Sequence, residues 1–166
     1  DVLSFANMTD SIVVDLRAVD ADGYSVINQG GDVNLAKGFE DIVGTQGNDT
    51  FYGDVNDNAF VGGQGNDSFY WSAGENFYLG GAGADTLDYS AAAGVAVTDN
   101  ISFDMSVMVG GVYQINFNGL PQDFASSIEI VYAGDGNDTI SGDGQANAFY
   151  GGDGNDVLLG LGGDDV

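Results

Sequence analysis

The chain keeps a period of nine residues over two stretches, and few folds are compatible with it. From Gly44 the blocks read GTQGNDTFY (44–52), GDVNDNAFV (53–61), GGQGNDSFY (62–70), WSAGENFYL (71–79) and GGAGADTLD (80–88). A second run gives AGDGNDTIS (133–141), GDGQANAFY (142–150), GGDGNDVLL (151–159) and the truncated GLGGDDV (160–166). The eighth place of every complete block is apolar: Phe51, Phe60, Phe69, Tyr78, Leu87, Ile140, Phe149 and Leu158. The sixth place is always Asp or Asn. Six glycine-rich places make a turn, and the last three make a short strand whose alternation sends one side chain in three inward. One nonapeptide cannot bury its single apolar side chain alone, so the units must stack. A flexible linker would have no reason to place an apolar residue every nine. The pattern predicts an all-β fold, a parallel β-roll in which two nonapeptides complete one turn of a two-sheeted solenoid. Turns eighteen residues apart then share an edge, with those at 44, 62 and 80 on one side and those at 53 and 71 on the other.

Charge constrains the roll further. Acidic residues number 26 against two basic ones, Arg17 and Lys37, for a formal net charge of −24. Disordered acidic chains are poor in aromatics, whereas this one is 11% aromatic and 43% hydrophobic. It has the material for a core, so cations are expected to neutralise the folded state. Only Glu40, Glu75 and Glu129 are glutamates; the rest are aspartates, whose short arm suits tight turns and hard-cation ligation by oxygen. Stacked carboxylates without a counterion would repel strongly. The same charge argues against nucleic acid and anionic membrane as partners. No apolar run approaches a membrane span. Cysteine and histidine are both absent, which removes disulfides and most zinc or histidine-based chemistry. The chain opens on Asp1 without methionine or a signal-peptide pattern, so a processed or excised segment is expected.

The blocks GGQGNDSFY and GGDGNDVLL resemble the G-G-x-G-x-D-x-U-x repeat of the RTX (repeats-in-toxin, hemolysin-type) family. That resemblance implies several Ca2+ ions, each held between two stacked turns by sixth-place aspartates and backbone carbonyls. Carried over, Asp49 with Asp67 and Asp67 with Asp85 would bracket two ions. Asp138 with Asp156 would bracket another. Asn58 and Asn76 replace aspartate on the opposite edge, so a site there would be weak or empty, and Asn147 facing Asp165 is intermediate.

Residues 1–43 and 89–132 lack the period but resemble each other, which divides the chain into a lead-in strand or hairpin segment (1–43), a first roll (44–88), a second such segment (89–132) and a second roll (133–166). From Glu40/Glu129 through Asp67/Asp156 the offset is a constant 89 residues, and DVLSFA (1–6) parallels DTLDYS (85–90). Two hairpins are predicted. Ile12–Leu16 and Tyr24–Ile27 flank Asp22-Gly23; Val107–Val109 and Val112–Ile115 flank Gly110-Gly111. The passage VNLAKGFEDIVGTQGND (33–49) is similar to the lead-in of the β-roll domain of serralysin-type proteases, whose zinc-binding histidines have no counterpart in this sequence. Overlapping Asp165-Val166 with Asp1-Val2 gives GLGGDDVLSFA, a restored nonapeptide with Leu3 in the apolar place. The chain therefore reads as one period of a tandem array. Tyr52, Tyr70 and Tyr150 fall at the ninth, outward place and are expected to pack across strands.

The resemblance implies type I secretion and an extracellular or cell-surface location, where millimolar calcium would fold the acidic turns. The expected role is a calcium-binding structural module of a rod, adhesin or filament, associating with other copies end to end or side by side. The competing role is the calcium-binding tail of a secreted protease or lipase. No nucleophile–base constellation stands out, so the chain itself is not expected to be an enzyme.

Overall fold

A computed structural model describes residues 1–90 and 99–166; residues 91–98, within the second linking segment, lie outside the described residues. The described residues contain seventeen strands and no helix: β1 (Val2–Ser4), β2 (Ile12–Val19), β3 (Ser25–Gln29), β4 (Asp32–Ala36), β5 (Asp41–Val43), β6 (Thr50–Tyr52), β7 (Ala59–Gln64), β8 (Ser68–Tyr70) and β9 (Phe77–Ala82) in the first part. The second part holds β10 (Thr86–Asp88), β11 (Ile101–Asp104), β12 (Tyr113–Phe117), β13 (Leu120–Ser126), β14 (Ile130–Tyr132), β15 (Thr139–Ser141), β16 (Ala148–Tyr150) and β17 (Val157–Leu159).

As the repeat predicts, successive strands alternate between two sheets and the fold is a parallel β-roll. One sheet runs β1-β5-β7-β9-β13-β12-β11-β15-β17 and the other β16-β14-β10-β8-β6-β2-β3-β4. Register follows the period: Phe51 lies beside Phe69 and Phe60 beside Tyr78, eighteen residues apart. The eighth-place residues from Phe51 to Ile140 are fully buried between the sheets. Phe51 and Phe69 stack at 5.2 Å with their planes 8° apart. Outside, the ninth-place tyrosines also stack, Tyr52 on Tyr70 at 4.5 Å and Tyr132 on Tyr150 at 4.3 Å.

The segments between the rolls extend the same two sheets. In the first, β2 pairs in parallel with β6 and is continued outward by the antiparallel meander β2-β3-β4. The Asp22-Gly23 turn closes as predicted, with Gly23 at φ 79°. In the second, β11-β12-β13 form the equivalent meander, but β13 goes on to pair with β9 and β11 with β15, so it bridges the two rolls. The second hairpin differs from expectation. Its first strand is Ile101–Asp104, and Val107–Val109 contribute only an isolated bridge, Val109 to Val112. The reason is burial: Ile101 and Phe103 reach the core, whereas Val107, Met108 and Val109 are exposed.

In the nonapeptide strands the core takes one apolar side chain per strand, so each eighth-place side chain should matter singly. Phe69→Ala is expected to destabilise the calcium-loaded protein by about 3–5 kcal/mol. Leu158→Ala, at the open end of the roll, should cost about 1 kcal/mol. Thermal unfolding in saturating calcium measures the difference.

Candidate metal centres

Each sixth-place aspartate turns into its own edge of the roll and is held by the rung before it. On the first edge the Ile12 amide donates to Asp49 Oδ1 at 2.9 Å, the Asp49 amide to Asp67 Oδ1 at 2.7 Å and the Asp67 amide to Asp85 Oδ1 at 2.8 Å. The Asp85 amide ends the series on Glu129 Oε2 at 2.8 Å. In the second roll Ile101 donates to Asp138 Oδ1 at 2.7 Å and Asp138 to Asp156 Oδ1 at 3.0 Å. Asn147 donates to Asp165 Oδ1 at 3.0 Å. A parallel outer ladder runs the other way at the fifth place, where Asn66 donates to Asn48 Oδ1 at 2.8 Å and Asn155 to Asn137 Oδ1 at 3.0 Å.

The structure thus brings Asp49, Asp67 and Asp85 into one buried column. In the second roll Asp138 is buried and Asp156, in the same column, is half-buried; Asp165, on the other edge beside Asn147, is exposed where the roll is open. In each aspartate one carboxylate oxygen takes the ladder bond. Asp49 Oδ2 accepts from the Thr45 amide, whereas Asp67 Oδ2, Asp85 Oδ2 and Asp138 Oδ2 are buried with no hydrogen-bond partner. Their surroundings are oxygen too. A β-carbon at Gly62 would collide with Asp67 Oδ2 and stand 2.7 Å from the Gly80 carbonyl oxygen. One at Gly63 or Gly65 would stand 2.5 Å from the carbonyl oxygen of Thr45 or Gly47 respectively. Glycine is required here because the next turn's carbonyls occupy the space of a side chain; Gly63 and Gly65 also have φ of 116° and 102°.

The chain provides no cation to these columns. Arg17 pairs with Asp15 at 2.9 Å and lies over Tyr52 at 4.0 Å, and Lys37 donates to the Asp22 carbonyl at 2.6 Å. Burial, opposed by the Asp49 amide and aided by the charges of Asp49 and Asp85, pushes the Asp67 carboxyl up to about 7. Burial also raises Asp85 and Asp138, the latter with help from Asp156 and Asp135. Orphaned carboxylate oxygens facing carbonyl oxygens, with no donor between, fit a hard divalent cation ligated by oxygen. Among the described residues no three acidic side chains converge as a chelating group. A fitting ligand set is therefore mixed, with carboxylates from two stacked turns and main-chain carbonyls.

The opposite edge solves the problem without an ion. Asn58 donates its amide to Asn76 Oδ1 at 3.0 Å, and the Asn76 amide donates to Asp123 Oδ1 at 2.8 Å. The Asn76 side-chain NH2 reaches the Ser72 carbonyl at 2.9 Å and the Gly74 carbonyl at 3.4 Å. These are second- and fourth-place carbonyls of the turn. Asp123 Oδ2 accepts from the Tyr89 hydroxyl at 3.0 Å, so neither of its oxygens is orphaned. Asparagine here places donors where the other edge has none.

Two ladder residues lie outside the nonapeptides and were not among the expected ligands, Glu129 and Asp123. Each ends a column from a segment without the period. The signal for Glu129 was its equivalence with Glu40, which accepts from the Asp1 amine at 3.2 Å as Glu129 accepts from the Asp85 amide.

The architecture and these turns define a β-roll of calcium-binding type. The chain matches the family model of the RTX calcium-binding nonapeptide repeat in four copies, across residues 37–69, 72–88 and 129–166, more than half its length. It belongs to that family, and it is a calcium-binding structural module. No curated protein matches it.

Asp123 offers a test of burial energetics apart from the unpaired carboxylates. Burial pushes its carboxyl up to about 7, above the unfolded value of about 3.9. The folded state then holds a proton that the unfolded state has lost between those values, so this group's contribution to stability falls as pH rises from about 4 to 7. Asp123→Asn should flatten that slope and raise stability at pH 8 by on the order of 1 kcal/mol. Melting curves at pH 5 and pH 8 in calcium read it directly.

Proposed function

We propose that this chain is a structural module of a secreted or cell-surface protein, folding when calcium binds outside the cell, and that it forms one period of a repetitive rod, adhesin or filament. Several ions sit between stacked turns, with Asp49 and Asp67, Asp67 and Asp85, and Asp138 and Asp156 as the carboxylate pairs. The intermediate pair Asn147 and Asp165 takes an ion more weakly. The observation that carries this reading is the set of buried, unpartnered Oδ2 atoms on Asp67, Asp85 and Asp138 in a chain with no cation to meet them.

Function follows from the linkage between metal and fold. Without an ion the aspartate columns oppose stacking, and without stacking the eighth-place side chains have no core. At the low calcium of a cytosol the chain stays open and compatible with export. Outside, calcium falls within the range of extracellular modules, about 10⁻⁴ to 10⁻³ M, and closes the roll. The product is a stiff element whose length is set by the number of rungs. The regular turn spacing accounts for the carboxylates as ligands, which supports a structural role over a catalytic one.

Circular dichroism during a calcium titration tests this. In excess chelator at pH 7.5 the chain should be disordered, and calcium should produce a β spectrum with a midpoint of about 10⁻⁴–10⁻³ M. Asp67→Ala, which removes a ligand shared by two sites, should raise the midpoint about tenfold or more, while Asn76→Ala should leave it within about twofold. A β-rich spectrum already complete in chelator contradicts the reading.

A further inference from the structure

The roll is open at both ends, and its open edges are matched halves of a junction that the chain already contains once. Strands β2 to β8 repeat as β11 to β17 with the same partners: β2 with β6 becomes β11 with β15, β5 with β7 becomes β14 with β16, and β6 with β8 becomes β15 with β17. β1 against β5 becomes β10 against β14. The second unit makes two further parallel pairings that the first does not. β10 lies on β8, Leu87 beside Phe69, and β13 lies on β9, Phe124 beside Phe77 and Ala125 beside Tyr78. These join the second unit to the first. At the head of the chain the equivalents of β10 and β13 are β1 and β4, each with one edge unpaired. At the tail, β16 and β17 end the two sheets.

We infer that the tail of one copy of this unit seats on the head of another, β16 pairing in parallel with β1 and β17 with β4; the second roll has one nonapeptide fewer than the first, so counted back from the junction β16 holds the place of β8 and β17 that of β9. By that junction's register Leu3 lies beside Phe149, Leu35 beside Val157 and Ala36 beside Leu158. The occupant is a second copy of this unit, and the inference rests on the array reading above.

Three observations converge on that occupant. The first is burial: Leu158, an eighth-place residue, is 39% exposed where its equivalents from Phe51 to Ile140 are fully buried. Val2 and Leu35 at the head and Val157 and Leu159 at the tail are exposed as well. The second is hydrogen bonding at the shared rung. Within the chain, Asp85-Thr86 bonds both ways: the Thr86 amide donates to the Asp67 carbonyl at 2.8 Å, and the Asp85 carbonyl accepts from Ile130 at 2.9 Å. Asp165-Val166 bonds only to the preceding rung, Val166 amide to Asn147 carbonyl and Phe149 amide to Val166 carbonyl, both at 2.9 Å, and Asp1-Val2 only to the following one, Asp41 amide to Asp1 carbonyl at 3.3 Å. The third is the ladder. Glu40 at the head holds the place of Glu129, and Asn34 that of Asp123, so the column beginning at Asp138 and Asp156 would end on Asn34 of the next copy as that of Asn58 and Asn76 ends on Asp123. An open parallel edge with apolar residues otherwise invites unspecific pairing; here the register is specified by inward residues on both sides.

Cysteine trapping tests the register, and the chain has no cysteine of its own. Leu35→Cys and Val157→Cys are introduced together into the chain, and the off-register pair Val33→Cys with Val157→Cys serves as control. Neighbouring strands are ~4.8 Å apart, within disulfide reach, whereas a residue two further along is not. Both pairs are oxidised in calcium in two copies joined so that Leu3 of the second follows Val166 of the first. The expected result is a disulfide for the 35–157 pair, absent for 33–157 and absent in chelator. Equal trapping of both pairs, or none while circular dichroism shows a calcium-folded roll, overturns the inference. Failure to fold in calcium at all would instead remove the reading beneath it.

Discussion

The structure turns on a repulsion the polypeptide does not cancel for itself. Aspartates at the sixth place recur on adjacent rungs ~4.8 Å apart, where like charges at an effective dielectric near 20 repel by about 3–4 kcal/mol per neighbouring pair. One oxygen of each is fixed by the amide of the preceding rung, and for Asp67, Asp85 and Asp138 the other is buried without a partner. Arg17 and Lys37 are both engaged elsewhere. The hydrophobic column between the sheets is continuous, but it exists only if the rungs stack. Core and charge are therefore one cooperative unit, and calcium acts on both at once.

The asparagine edge shows the alternative that the same backbone permits. Asn76 turns its side-chain NH2 onto the Ser72 and Gly74 carbonyls, and Asp123 is held by the Asn76 amide and the Tyr89 hydroxyl. In the first roll this edge is satisfied by its own side chains, whereas the facing column leaves Asp67 Oδ2 and Asp85 Oδ2 without a partner.

Much of this was legible from the spacing of residues. A nine-residue period with an apolar eighth place dictates a solenoid, and eighteen-residue offsets place Asp49, Asp67 and Asp85 in one column. What spacing could not convey is register outside the period. Ile101–Asp104 and Val107–Val109 are both short apolar runs, and only the partner strand decides between them; β15 selects Ile101 and Phe103 for burial. Glu129, just before β14, and Asp123, within β13, have no turn motif around them, so their role as column ends depends on contacts 44 and 47 residues away. Glutamate at 129 and at 40 has the longer arm for a rung where no sixth-place turn is formed.

The most direct test of the central claim is a crystal structure grown in calcium, with anomalous scattering used to place the ions. Peaks are predicted between Asp49 and Asp67, between Asp67 and Asp85 and between Asp138 and Asp156, each contacted by carbonyls of both turns, with none between Asn58 and Asn76. A refined roll of this register with those three positions filled by water or by protonated, mutually bonded carboxyls would contradict it.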